Sequence, residues 1–194
     1  MYNAFRLLEK GFFVLALLGL VLRSAFVGGG LPVMLVGILA LALLYFAGGY
    51  FQARPPEPAG PAGLAPLKLP GLRVVSGIAL SFLLIGVLFR LLAWQGSTVE
   101  IVAGLVLGAG VQLWAFVAGR GSGQPVATSV FRRTALLMAI GGIVLLTPVS
   151  SIIRWFHRDD TALAEKMVYQ HEHPDDPAAA QAVRQHLQAK PEQL

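Results

Sequence analysis

Apolar residues in this chain fall into five blocks: Phe5–Val27, Leu31–Phe51, Leu72–Trp94, Val99–Gly119 and Thr134–Trp155. A helix needs about 20 residues to cross a hydrocarbon core of about 30 Å, and each block reaches that length. Beyond Trp155 the pattern changes to short amphipathic stretches. Leu163, Met167 and Val168 share one helical face, and so do Ala179, Val183 and Leu187. Asp159 or Asp160 is placed to cap the first of these helices, which runs to about Glu172. Asp176-Pro177 opens the second, which runs to about Lys190, with proline in the first turn. The pattern predicts an all-α integral membrane protein. It has five transmembrane helices, made of two tandem helical hairpins plus a fifth helix, and a short helical C-terminal tail.

The two hairpins share a pattern at an offset of 67 residues. Gly19 falls on Gly86, Arg23 on Arg90, Gly29 on Gly96 and Gly37 on Gly104. Leu17 falls on Leu84, Ala42 on Ala109 and Arg6 on Arg73. One ungapped register therefore carries two copies of G-x3-R-x5-G-x7-G. The arginines weigh most, because charges are scarce in these blocks.

This register divides the chain into a first hairpin (1–53), a linker (54–71), a second hairpin (72–119), a loop (120–133), a fifth helix (134–156) and a soluble tail (157–194). Pro55, Pro56, Pro58, Pro61, Pro66 and Pro70 give the linker a polyproline II character. It reads as a spacer, or alternatively as a ligand for an SH3-like partner. The loop reads as flexible from its Gly and Ser content. Pro148 is expected to kink the fifth helix by removing a backbone donor. Arg6 and Lys10 before an apolar run resemble a signal peptide. Arg23 ends that run without a small-x-small cleavage site, so an uncleaved first helix is expected.

Composition sharpens the class. The 194 residues are 56% hydrophobic and 13% charged, with a mean hydropathy of +0.68. That balance belongs to integral membrane proteins. The net charge of +5 is uneven, since residues 154–194 hold five basic and seven acidic side chains. The basic excess sits at block edges. It is a topogenic signal rather than a nucleic-acid footprint, and no nucleic-acid partner is expected. Arg6, Lys10, Arg54, Lys68, Arg73, Arg120, Arg132 and Arg133 share one side of a five-span topology. The expected location is the bacterial inner membrane, with the N-terminus cytoplasmic and the tail outside. There is no cysteine, which excludes disulfides, thiolate catalysis and Cys-ligated metals.

Arg23 and Arg90 are the sharpest candidate functional residues. Each lies about one turn from a helix end, where snorkelling or contact with lipid phosphate competes with a specific role. Glu100 is within reach of Arg90 across a short turn, and the two can pair. Val33 stands at the equivalent place in the first hairpin. Glu9, beside Arg6 and Lys10, reads as part of an interfacial ion cluster. No carboxylate lies midway along any block, which counts against a proton-coupled pump. The histidines 157, 171, 173 and 186 all lie in the tail. His171-x-His173 beside Asp175 and Asp176 offers metal-ligand types, but the segment is a helix end and a solvated polar turn is the preferred reading. No catalytic, metal or cofactor-binding residue is assigned, and no cofactor is expected. Gly19, Gly37, Gly86 and Gly104 read as helix-packing positions, since small residues let helices approach where lipid gives no hydrophobic drive.

At Gly19-Leu-Val-Leu-Arg23, and again at Gly86-Val-Leu-Phe-Arg90-Leu-Leu-Ala-Trp94-Gln-Gly96, the hairpin resembles the N-terminal hairpin of GldL-like membrane proteins of bacterial gliding-motility and secretion motors. The resemblance covers about thirty residues per copy and implies a hairpin fold. In that family an acid of the second helix is associated with ion flow, whereas Leu31–Phe51 carries none. The expected function is a non-enzymatic structural or assembly subunit of a membrane complex. It would sit in the lipid bilayer with other membrane subunits or further copies of itself. A transport or channel component is the alternative, and a membrane-embedded enzyme the third.

Overall fold

The computed structural model describes residues 2–51, 70–122 and 125–189, with side-chain surroundings for 4–49, 71–117 and 130–189. The linker expected over 54–71 lies almost wholly outside the described residues. Among the described residues eight helices follow one another: α1 (Tyr2–Ser24), α2 (Gly30–Phe51), α3 (Pro70–Leu91), α4 (Ser97–Ser122), α5 (Pro125–Leu146), α6 (Val149–Phe156), α7 (Thr161–Glu172) and α8 (Pro177–Gln188). The chain is all-α over the described residues. α1 packs on α2, α3 on α4, and α2 on α3 to join the hairpins. α5 lies against α3 and α4, and α6 touches α1, α3 and α7.

Among the described residues three helices, not five, are long and apolar enough to cross a membrane: Gly30–Gly49, Gly71–Leu91 and Ser97–Val117. A fourth arises only if Val130–Leu146 and Val149–Phe156 count together as one span, bent by 90°. Charge removes α1 from the set. Arg6, Glu9, Lys10 and Arg23 leave only Gly11–Leu22 uncharged, about 18 Å of helix against a core of about 30 Å. Pro148 splits the expected fifth helix. Lacking an N–H, it ends α5, and α6 leaves at a right angle. The loop expected over 120–133 is helical over 125–133. Pro125 begins α5, where a proline costs no hydrogen bond.

The two hairpin turns share one backbone geometry. Phe26 and Ala93 are left-handed (φ 58° and 55°), as are Gly29 and Gly96 (φ 89° and 82°). Phe26 N–H donates to Arg23 O at 3.2 Å and Ala93 N–H to Arg90 O at 3.0 Å. Val27 N–H reaches Leu22 O at 3.0 Å, and Trp94 N–H reaches Phe89 O at 2.9 Å. In each turn the left-handed residues end one helix and aim the next back along it.

Glycines set how closely the helices run. A Cβ on Gly19 would meet the Met34 backbone nitrogen, and one on Gly37 the Ala16 backbone nitrogen. In the second hairpin a Cβ on Gly86 would stand 2.7 Å from Ile101 N, and one on Gly104 2.7 Å from Leu83 Cα. Gly77 faces Tyr45 O across the α2–α3 seam. There the Ser81 hydroxyl lies 2.8 Å from both Ala42 O and Gly77 O. Met34, Leu41, Leu83 and Ile101 fill the core that these approaches create.

Gly19→Ala and Gly37→Ala are expected to force α1 off α2, at about 1–3 kcal/mol each, as overpacking does. Gly142→Ala, with nothing within 4 Å of its added Cβ, is expected to be neutral. Thermal unfolding of the three variants in one detergent checks the contrast.

Candidate functional site

The bundle has two polar ends. At one, Glu9 accepts a hydrogen bond from Tyr45 Oη at 2.7 Å and pairs with Arg133 at 2.9 Å. Phe5 packs beneath, its ring 5.7 Å from the Arg133 guanidinium carbon. The cluster therefore ties the start of α1 to the end of α2 and to α5. It is a long-range tie, so neighbouring sequence suggested Arg6 and Lys10 instead. A signal was present all the same: Glu9 and Glu100 are the only carboxylates in the five apolar blocks and their edges.

The other end carries the two candidate arginines. Arg90 Nη1 donates to Thr98 Oγ1 at 2.9 Å, and Nη2 donates to Leu145 O at 3.1 Å and Thr147 O at 3.0 Å. These carbonyls are orphans of the α5 end, where Pro148 stops the helix, and a cation there also meets the negative end of the helix dipole. Arg90 thus anchors the bend between α5 and α6. Its two Nη atoms meet Thr98 and those carbonyls while Nε stays covered and unbonded among the described residues, and Glu100 forms no ion pair there. Arg23 does a related job on the other hairpin. Its guanidinium lies 4.2 Å over the Phe156 ring at the end of α6. Arg158 Nη2 donates to Ser24 O at 3.1 Å, with its guanidinium 4.9 Å over Phe26.

The bend is what lets the tail fold back. α6 buries Val149, Ile152, Ile153 and Phe156, a stripe at helical spacing. α7 lays Ala164 and Val168 on Val149 and Ile153. Asp160 caps α7 by accepting from Leu163 N–H at 3.0 Å, and Asp176 caps α8 by accepting from Ala178 N–H at 2.9 Å. His186 Nε2 lies 3.0 Å from Asp160 Oδ2, and Lys166 Nζ lies 3.2 Å from His186 Nδ1, closing α8 onto α7. α7 is thus supported by this chain's own α6. Leu187, expected in the buried stripe of α8, is 55% exposed, whereas Ala179 and Val183 are buried.

Between the second hairpin turn and the tail lies a half-open cleft of about 330 Å³, walled by Ala93, Trp94, Ile153 and Met167, with Gln95, Gln170 and His171 at its rim. Ala93 stands where the first turn has Phe26, and the missing ring leaves room. Among the described residues no three His, Asp or Glu side chains converge to hold a metal. His173 instead stacks on Tyr169, 4.3 Å between ring centres.

His157 ends α6 in half-buried surroundings. Burial first, and then the nearby Arg23 charge, hold its imidazole below the usual histidine value, against the opposing pull of Asp159 and Asp160. The docked tail therefore favours neutral His157. As the pH falls through the ordinary histidine value of about 6.5, the undocked chain takes up the proton first, and docking weakens. Thermal unfolding is expected to lose stability below that pH, and His157→Asn to flatten the slope. A second outcome concerns Arg90. Arg90→Leu is expected to cost about 1.5–3 kcal/mol, the worth of hydrogen bonds to a charged group, and to speed hydrogen exchange across α6. Arg90→Lys is expected not to restore it, because one ammonium does not reproduce the guanidinium fork.

No family model, no curated protein and no solved structure matches this chain, and the arrangement of its own residues carries the functional reading.

Proposed function

We propose that this protein is a structural or assembly subunit of a bacterial inner-membrane complex, without catalytic activity of its own. Two copies of one helical hairpin form its membrane body, and α6–α8 form a head on the outer face. The observation that carries this reading is where the charges go. Glu9 is engaged by Tyr45 and Arg133, and Arg90 by the end of α5, so the polar groups of the bundle hold the fold together. Large apolar side chains meanwhile face outward along the helices, among them Val14, Val106, Leu113 and Ile143. Such faces suit lipid, sister subunits or further copies of the chain. The matching turns and the matching glycine contacts of the two hairpins support duplication of one unit. The likeness to gliding-motor hairpins extends no further than the hairpin, since α2 carries no acid.

Orientation follows from charge. Arg6, Lys10, Arg73, Arg132 and Arg133 gather at the end away from the tail, which suits the cytoplasmic side. The head, with its acidic excess, then lies outside.

A second reading, a transport or channel component, is favoured by Gln112 Oε1 and Thr134 Oγ1. These are covered oxygens on α4 and α5 without a hydrogen-bond partner among the described residues. Their carrier chains lie at one interface, where Gln112 Nε2 donates to Phe131 O at 3.0 Å.

Purification in mild detergent, with mass spectrometry of what comes with the protein, is expected to recover stoichiometric membrane subunits or a defined homo-oligomer. A lone monomer that conducts ions or solutes in liposomes would replace the assembly reading with the transport one. Reporter fusions after Ser122 and after Leu194 are expected to give opposite signals, and equal signals would reject the orientation.

A further inference from the structure

Arg23 and Arg90 stand 67 residues apart at matching places, yet their donors are used differently. Arg90 meets one hydroxyl and two carbonyls. Arg23 stacks on Phe156, and neither a hydrogen-bond acceptor nor a carboxylate partner meets it among the described residues. Its Nη1 is fully covered and unbonded. A guanidinium carries five N–H donors in a planar fork, and a half-buried one without an acceptor is costly. Arg158 sits at the same end of α1, with Nη2 on Ser24 O and its ring contact on Phe26. Two guanidiniums with donors to spare thus meet at one corner of α1 and α6.

The groups around that corner favour an anion. Burial and the Arg23 charge hold the His157 imidazole there below the usual histidine value. Of the two nearby carboxylates, Asp160 is occupied by Leu163 N–H and His186. Asp159 is exposed at the surface. Below the corner α1 presents Val14, Leu17, Leu18 and Val21 at i, i+3, i+4 and i+7, between 47% and 62% exposed. The exposed Trp94 and Trp155 lie at the same end, as side chains of a headgroup layer do. A site with a cationic top and an apolar stripe running down from it has the two parts of a phospholipid. A free phosphate would use only the upper one. Guanidinium forks match phosphate oxygens in pairs.

We propose that Arg23 and Arg158 bind the phosphate of an anionic phospholipid, whose acyl chains lie along Val14, Leu17, Leu18 and Val21. The lipid phosphate meets the exposed Arg158 and the part of Arg23 that stays open to the surface rather than its covered Nη1, and the chains cover the outer face of the helix too charged to count as a span. The site extends beyond the assembly role and stands whether or not partner subunits are found.

Native mass spectrometry of the full chain in mild detergent tests it, with phosphatidylglycerol, phosphatidylethanolamine and inorganic phosphate as separate probes. Phosphatidylglycerol is expected to be retained in preference to phosphatidylethanolamine. Arg158→Gln, and Arg23→Gln where it folds, are each expected to lower its affinity about tenfold, equivalent to about 1.4 kcal/mol. Arg132→Gln, at the opposite end, is expected to bind as the wild type does. Arg158 is exposed, so its variant decides the matter even if Arg23→Gln unfolds. Equal retention of the two lipids, or wild-type phosphatidylglycerol binding by Arg158→Gln, overturns the site. Displacement of phosphatidylglycerol by inorganic phosphate at similar concentration overturns the lipid and leaves an anion site.

Discussion

Pro148 interrupts a helix inside an apolar bundle, and the carbonyls it strands must be met by something. A backbone C=O left without a donor away from water costs as much as a lost hydrogen bond or more. Arg90 crosses from the second hairpin to meet Leu145 O and Thr147 O. Pro148 ends α5, and these two bonds hold the break and the departure of α6 in place. The 90° turn then determines the rest of the C-terminal third. A straight fifth helix would have carried Val149, Ile153 and Phe156 away from the hairpin ends, and α7 would have lost its seat. The cation–π contact of Arg23 with Phe156 and the Arg158 bond to Ser24 O secure the other side of the same arm.

The hairpins were legible because their signals are local. Gly29 and Gly96 mark left-handed turns, and the glycines at 19, 37, 86 and 104 mark close approaches, each visible at short range. The tail helices were legible through Asp160, Asp176 and Pro177, whose capping chemistry acts within three residues. What escaped depends on distance or on degree. Glycine and serine over 119–124 suggest a loop, but α4 runs on to Ser122 and α5 has begun by Pro125. α1 reads as a span by eye, yet four charges leave it too little uncharged length. The site itself was half legible. Arg23 and Arg90 stand out as rare charges, but their partners lie on α4, α5 and α6, and nothing nearby in sequence names Thr98, Leu145 or Phe156. Glu100 was the nearer acid, and nearness misled. A guanidinium beside a proline break finds two carbonyls already in place, whereas Glu100 sits at the N-terminal end of its own helix, where the dipole already favours a carboxylate.

The two halves of the molecule are held by different physics. Hairpin packing relies on steric closeness, and one methyl group at Gly19 or Gly37 weakens it. The arm relies on charge meeting backbone oxygen and aromatic faces. Close packing has no adjustable element, while the arm rests on groups whose strength depends on protonation and solvation.

The wide sequence separation of these ties has a consequence in time. Arg158 and Ser24 are 134 residues apart, and Arg90 and Thr147 are 57 apart. At about 5–20 residues per second of synthesis, Arg90 waits roughly 3–11 s for its carbonyls, and the end of α1 waits roughly 7–27 s for Arg158. Through that interval the hairpins stand without the arm that later meets their arginines. Each hairpin must already hold together, and its backbone-to-backbone glycine seams supply that early stability. Residues 149–194 then close a body whose helices are already made, so a ribosome stalled before α6 leaves behind an open intermediate.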